Sequence, residues 1–305
     1  MRPRLIAETT GHPGEFWPIA TGGWMTTHYN ADHLWVLDRR LNVTATYPID
    51  DGFPHTDGRH LALIGDDEIT ATDLRGRTIW RRSVPGVRAC VFSGDLLWTI
   101  AGDLTTAMHR TTGEPVGETR LGPDNAVVEL ITAFADDRAV VQLRHADGSG
   151  LRDWLLTADR TGVRATELPS RFLDSHSDGS RYLAAAAGRL TMRDVTTGAV
   201  TATRSDEEIG GPDAILSRDA VNVSGNLVVA GIEDHSAWWW RHVLLCADTL
   251  QPRSVLDYSR PGEPYQIVRS AEPGTWLTST DDGVHLWGLD GPLDTDPLPG
   301  QLALW

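Results

Sequence analysis

Short runs in which apolar and polar residues alternate fill most of the 305-residue chain. HLALIG, LLWTIAG, RAVVQL, RYLAAAAG, NLVVAG and TWLTST are of this kind. A period of two puts successive side chains on opposite faces of an extended strand. No window of useful length carries apolar residues at i, i+3, i+4 and i+7, so the pattern predicts strands throughout.

The strands are punctuated at regular intervals. A β-type segment ending in a polar turn recurs seven times: HLWVLD, ITATD, TTAMHR, WLLTAD, LTMRD, VLLCAD and HLWGLD, ending at Asp38, Asp73, Arg110, Asp159, Asp194, Asp248 and Asp290. The residues that follow, as in DLRGRT and DVTTGA, suit a tight turn: an Asp or Thr side chain bonds the backbone two residues on, and Gly takes a left-handed conformation. Another alternating run precedes each of these segments, and a third precedes that. A unit of about four strands repeating at roughly 40 residues predicts a propeller blade. The expected fold is therefore all-β: a seven-bladed β-propeller of four-stranded antiparallel blades in one domain. Blades are expected at about 16–50, 53–84, 87–121, 127–168, 171–204, 213–257 and 265–290.

Two units, HTDGRHLALIGDDEITATDLRGRTIW (His55 to Trp80) and HSDGSRYLAAAAGRLTMRDVTTGAV (His176 to Val200), resemble WD40 or related quinoprotein-like repeats. Both carry an Asp-Gly turn, then Arg-x-Leu-Ala, then a turn running from aspartate to glycine. The resemblance spans about Phe16 to Asp290, without the terminal Trp-Asp and Gly-His pairs of WD40 repeats.

Blade seven shows only three strands before the proline-rich GPLDTDPLPG, which is unsuited to a paired strand. The ring must then borrow its last strand. RLIAETT, with the closing strand at about 3–9, is the preferred donor, and the C-terminal QLALW is the other candidate.

Departures from the repeat mark where function is expected. Asp38 to Asp73 and Asp159 to Asp194 each span 35 residues, but Arg110 to Asp159 spans 49 and Asp194 to Asp248 spans 54. The excess contains RHADGSGLRD in blade four and GIEDHSAWWWRH in blade six, each between the second and third strands. Both should emerge on the face that carries the connections between blades. That face is expected to be acidic, with an aromatic cluster. Its expected binding residues are Trp238, Trp239, Trp240, His242, Arg260 and Glu263. Three consecutive tryptophans in an extended segment cannot all point inward.

His145, His235 and His242 lack equivalents in other repeats. His235 or His145 is a candidate general acid or base, with Asp234 or Glu208 to orient it. His55 and His176 occupy matching positions before the Asp-Gly turn, which points to a shared structural bond. Trp35, Trp80, Trp98, Trp154, Trp276 and Trp287 fall in strands and are expected in the core.

Composition narrows the partners. The net charge is −15, and the 27 basic residues are all arginine, which excludes a lysine Schiff base. An acidic chain is a poor match for nucleic acid or an anionic membrane. No apolar run approaches the ~18 residues that span a bilayer, and the N-terminus lacks an apolar stretch of leader length. A cytoplasmic monomer is expected. Cys90 and Cys246 lie in apolar runs and are expected to be structural. No Walker loop, Gly-rich dinucleotide loop, GxSxG elbow or metal-binding spacing is present, so no cofactor or metal is expected.

Two functions remain open. One is a scaffold that docks a protein, peptide or small ligand, a cationic segment suiting it best. The other is an enzyme of hydrolase, lyase or cyclase type, with its site where the central channel opens on the same face.

Overall fold

In a computed structural model of the chain, residues 1–10, 15–19, 22–27, 33–48, 55–122, 127–135, 137–144, 150–234, 239–258, 266–269, 272–280 and 283–289 are described. They form seven four-stranded antiparallel sheets arranged as a propeller. Six blades use consecutive strands, spanning 15–48, 55–83, 87–120, 127–167, 171–205 and 215–255. The seventh joins Gln266–Arg269, Thr275–Thr280 and Gly283–Gly288 to the N-terminal strand Arg4–Thr9, which becomes its outermost member. RLIAETT thus closes the ring; QLALW lies outside the described residues.

The alternating pattern has a direct structural cause, because each sheet is buried on both faces. In blade three, Leu97 packs towards blade two while Trp98 and Ile100 pack towards blade four. The buried residues fall into seven apolar clusters, one for each seam between neighbouring blades. Trp80, Trp98, Trp276 and Trp287 are buried, and Trp35 and Trp154 pack half-buried against the seams. Their polar edges are satisfied: Trp80 Nε1 donates to the Arg110 carbonyl at 2.8 Å, and Trp98 Nε1 to the Asp137 carbonyl at 3.1 Å, each crossing a seam.

In blades one, two, four and five the recurring aspartates cap the turn before the fourth strand. Asp38 Oδ1 accepts from the Arg40 and Asn42 amides at 2.7 and 2.9 Å. Asp73 and Asp194 make equivalent pairs with Arg75 and Arg77, and with Thr196 and Thr197. The repeat seen in the sequence is this turn.

Closure of the ring depends on a close backbone approach. Leu5 faces Trp287 and Thr9 faces Val284 across the closing pair. Gly283 sits there at φ +147°, and a Cβ on it would collide with the Thr9 carbonyl oxygen. Gly76, at φ +79° in a blade-two turn, has open space around it. Gly283→Ala should therefore lower stability by more than about 3 kcal/mol, against about 1 kcal/mol for Gly76→Ala. Urea unfolding midpoints of the two variants check this; equal losses would mean that the closing pair tolerates a side chain.

Candidate functional site

Strand direction alternates within a blade, so the propeller has two chemically distinct ends. Turns joining first to second and third to fourth strands leave from one end, here the hairpin end. Second-to-third turns and the links between blades leave from the other, the connector end. The blade-four excursion, between Ala139–Arg144 and Leu151–Asp159, and the blade-six excursion, between Leu227–Asp234 and Trp239–Cys246, share the connector end. Much of the expected blade-six loop is in fact paired strand: Glu233 faces Trp240 and Asp234 faces Trp239 in a regular hairpin. The insertion lengthens the sheet because eight-residue strands carry the pairing beyond the blade.

His145, His235, Trp238, Arg260 and Glu263 lie outside the described residues. Asp234 and Trp239 are placed by their backbone only, opposite one another, and Trp240 is half-buried. Two nominated residues have other work. Glu208 belongs to a short helix, Asp206–Gly210, in the link between blades five and six. Its carboxylate accepts from the Ser205 amide at 2.8 Å, while Ser205 Oγ accepts from the Glu208 amide at 3.2 Å. This reciprocal capping commits the carboxylate that was expected to orient a histidine. His242 was expected at the binding face, yet it is 1% exposed. Its Nδ1 accepts from the Tyr258 hydroxyl at 2.6 Å, and that hydroxyl accepts from Trp276 Nε1 at 3.0 Å. The relay joins blade six to blade seven, and burial pushes the His242 pKa down to about 3. The ring is neutral structural material.

The connector end also holds charged residues that the sequence pattern hid. Asp219 sits where the first strand of blade six, Ile215–Ser224, slips register between Leu216 and Ala220. Bulges of this kind re-aim side chains. Burial raises the Asp219 carboxyl to about 6, Arg171 acting against the rise and Glu233 adding to it. Asp153 is likewise raised by burial, and it accepts from Gln142 Nε2 at 2.9 Å and from the Phe172 amide of the next blade. Charges inside a ten-residue strand, SRD within AILSRDAVNVS, were the available signal. Val127, Leu130 and Ile215 are 55%, 37% and 44% exposed on the innermost strands of blades four and six.

The hairpin end carries a cavity of about 460 Å³ where the innermost strands finish. Trp17, Phe92 and Phe134 contribute aromatic surface, and His55, His176 and Asn222 polar groups. The enzyme reading placed its pocket at the opposite mouth. His55 Nδ1 accepts from the Phe92 amide at 3.3 Å, and a His176 ring nitrogen lies 2.8 Å from the Gly225 carbonyl oxygen. Each histidine thus ties its blade to the next. Burial lowers the His55 pKa to about 4, against an opposing pull from Asp57.

No protein-family profile and no curated protein sequence matches the chain. Solved structures do match its shape. BamB from Moraxella catarrhalis aligns with a TM-score of 0.53 and 14% identity, covering 94% of this chain and all of that one. The WD40 domain of Neurospora crassa Pan2 aligns at 0.62 and 10% identity, covering 96% and 97%. A streptogramin B lyase aligns at 0.57 and 14% identity, covering 95% and 97%. At these identities the likeness shows the fold: the chain is a seven-bladed propeller like those of WD40 and BamB-type proteins.

The buried groups set opposing pH dependences. For His55 and His242 the unfolded chain takes up a proton near pH 6.5 while the folded chain does not. Their contribution is fully present above that pH and is lost as pH falls towards 4 and 3. Asp219 has the opposite sign, since its folded form binds a proton first, near pH 6. Urea midpoints measured from pH 6.5 to 4.5 should fall less steeply in His242→Gln than in the parent, and more steeply in Asp219→Asn. The reverse order would contradict these assignments.

Proposed function

We propose that the protein is a binding scaffold that docks a cationic peptide segment with apolar anchors on the connector end, between blades four and six. The observation that carries this reading is the exposure of Val127, Leu130 and Ile215 on innermost strands, where a propeller has no packing use for them. Glu129, paired with Arg144 at 2.6 Å, lies in the first strand of blade four and Glu233 in the second strand of blade six, and the whole chain has a net charge of −15. Electrostatic attraction then speeds and orients docking, and apolar contact holds the segment. Trp238, Trp239 and Trp240, with Arg260 and Glu263, are the further binding residues of this reading by their place in the sequence. The partner is a protein or peptide, met by a cytoplasmic monomer; nucleic acid and membrane fit the acidic surface poorly.

A second reading, an enzyme acting on a small molecule at the same end, draws support from Asp219. A carboxyl near pH 6 beside Arg171 suits general acid–base chemistry at neutral pH. In that case His235 or His145, with Asp234, would complete the machinery.

Selection of displayed random peptides against the immobilised protein tests the scaffold. Arginine-rich peptides with aliphatic or aromatic anchors should be enriched, and their affinity should fall as salt rises. Leu130→Glu with Ile215→Glu should weaken them at least about thirtyfold. Val43→Glu, on the outer strand of blade one, should leave binding unchanged. Binding that ignores both salt and the paired substitution would remove the scaffold reading at this end. Turnover abolished by Asp219→Asn with peptide binding intact would favour the enzyme.

A further inference from the structure

We propose that the cavity at the hairpin end binds a small primary amine, with the ammonium group on Asp178 and the apolar body against Trp17 and Pro18 of blade one. This site is separate from the docking face and does not depend on it.

The cavity is the mouth of the central channel, since residues from all seven blades line it. Two carboxylates, Asp57 and Asp178, are among them, and they differ in what they have left to offer. Asp57 is 6% exposed, and its Oδ2 faces His60 Nδ1 at 2.9 Å and Arg110 at 3.5 Å. That charge is answered within the fold. The Asp178 side chain is 55% exposed. Its Oδ1 accepts from the amide and the hydroxyl of Ser180 at 2.8 and 2.7 Å, with His176 Nδ1 2.7 Å away. All these bonds fall on Oδ1, and among the described residues none is made to Oδ2. Burial raises the Asp178 carboxyl, but the bonds from Ser180 and His176 outweigh it and hold it below the usual carboxylate range. The result is a fixed anion at the cavity with one open oxygen.

The surroundings leave that oxygen for a ligand. The chain has no lysine, and none of the residues lining the cavity is an arginine. Guanidinium groups in the adjoining turns are engaged elsewhere. Arg181 bonds Asp248 at 2.9 Å, and Arg138 bonds the Gly179 carbonyl at 2.9 Å while lying 4.8 Å from the centre of the Phe134 ring. A concave wall carrying an unanswered carboxylate draws cations and repels anions. Ser177 and Ser224 line the cavity with Asp178, and the Ser224 hydroxyl donates to Asn226 Oδ1 at 2.9 Å, which leaves its oxygen able to accept. An ammonium group carries three donors and no acceptor, which suits a carboxylate oxygen accompanied by hydroxyl oxygens. Trp17 and Pro18 line the cavity from blade one, three blades from Asp178 and so on the far side of a ring of seven. Both are half-buried, which leaves apolar surface open to the body of the ligand. At about 460 Å³ the space falls within the range of small-molecule sites.

Saturation-transfer NMR on the full chain with phenethylamine, phenethyl alcohol and hydrocinnamate tests the assignment. Phenethylamine should receive saturation. The alcohol keeps the ring and loses the charge, the acid reverses the charge, and both should bind about tenfold or more weakly. Asp178→Asn keeps the oxygen that Ser180 caps and should weaken the amine about tenfold or more. Glu118→Gln removes an equal charge from the outer strand of blade three and should leave binding unchanged, which separates the site from general attraction to an acidic chain. An added Cβ on Gly225, at the cavity wall, would meet only the Ser177 hydroxyl, at 3.9 Å. Gly225→Phe should therefore fold and block the amine with the charge intact, and it carries the test if Asp178→Asn does not fold. Leu130→Glu with Ile215→Glu, at the connector end, should have no effect on the amine. The proposal is overturned if phenethylamine does not bind, if the alcohol or the acid binds as well, if Glu118→Gln weakens binding as much as Asp178→Asn, or if binding survives both cavity substitutions.

Discussion

A sheet buried on both faces is stable only while it has a neighbour on each side, and that condition is met for every blade only if the ring closes. Pairing of Arg4–Thr9 with Gly283–Gly288 meets it for the last seam. Without it, Leu277, Val284 and Leu286 of blade seven and Phe16, Trp24 and Leu37 of blade one would share an unsupported interface. Leucine-sized side chains in such seams each contribute on the order of 2–5 kcal/mol. The chain below Thr10 is thus the keystone of a structure whose other six blades are sequential.

The ring has a second problem, the free edges of its innermost strands, where backbone amides face the channel unpaired. Side chains from the preceding blade answer it. His55 accepts from the Phe92 amide, Asp153 from the Phe172 amide and Asp174 from the Asn222 amide. These bonds satisfy the edge and also tie blade to blade near the axis, where a flat apolar seam alone would permit sliding. They explain why buried histidines and aspartates recur in a chain with no visible catalytic motif.

Such cross-bracing leaves the two ends of the channel as fixed surfaces of different character. At the connector end, the innermost strands of blades four and six bear the exposed apolar side chains Val127, Leu130 and Ile215. At the hairpin end, short turns converge on a small polar cavity with aromatic walls. Rigid placement of both on strands, rather than on long loops, keeps their geometry set before anything binds, which lowers the entropic cost of recognition.

Local chemistry is legible in one dimension, and it carried most of the architecture. Period-two runs specify strands buried on both faces, and an aspartate followed by a glycine turn specifies the hairpin that Asp38, Asp73 and Asp194 in fact cap. The sevenfold repetition of these signals is enough to define a propeller, and the two lengthened intervals put both excursions on one end. What a side chain meets across a seam is a different matter, because it depends on residues far away in the chain. His242 looked like an orphan histidine beside a tryptophan run, but it is buried and bonded to Tyr258, which Trp276 bonds in turn. Glu208 looked free, but Ser205 holds it in a cap. Strand periodicity and turn chemistry are properties of a few adjacent residues, whereas burial, pairing and cavities exist only once the ring has closed.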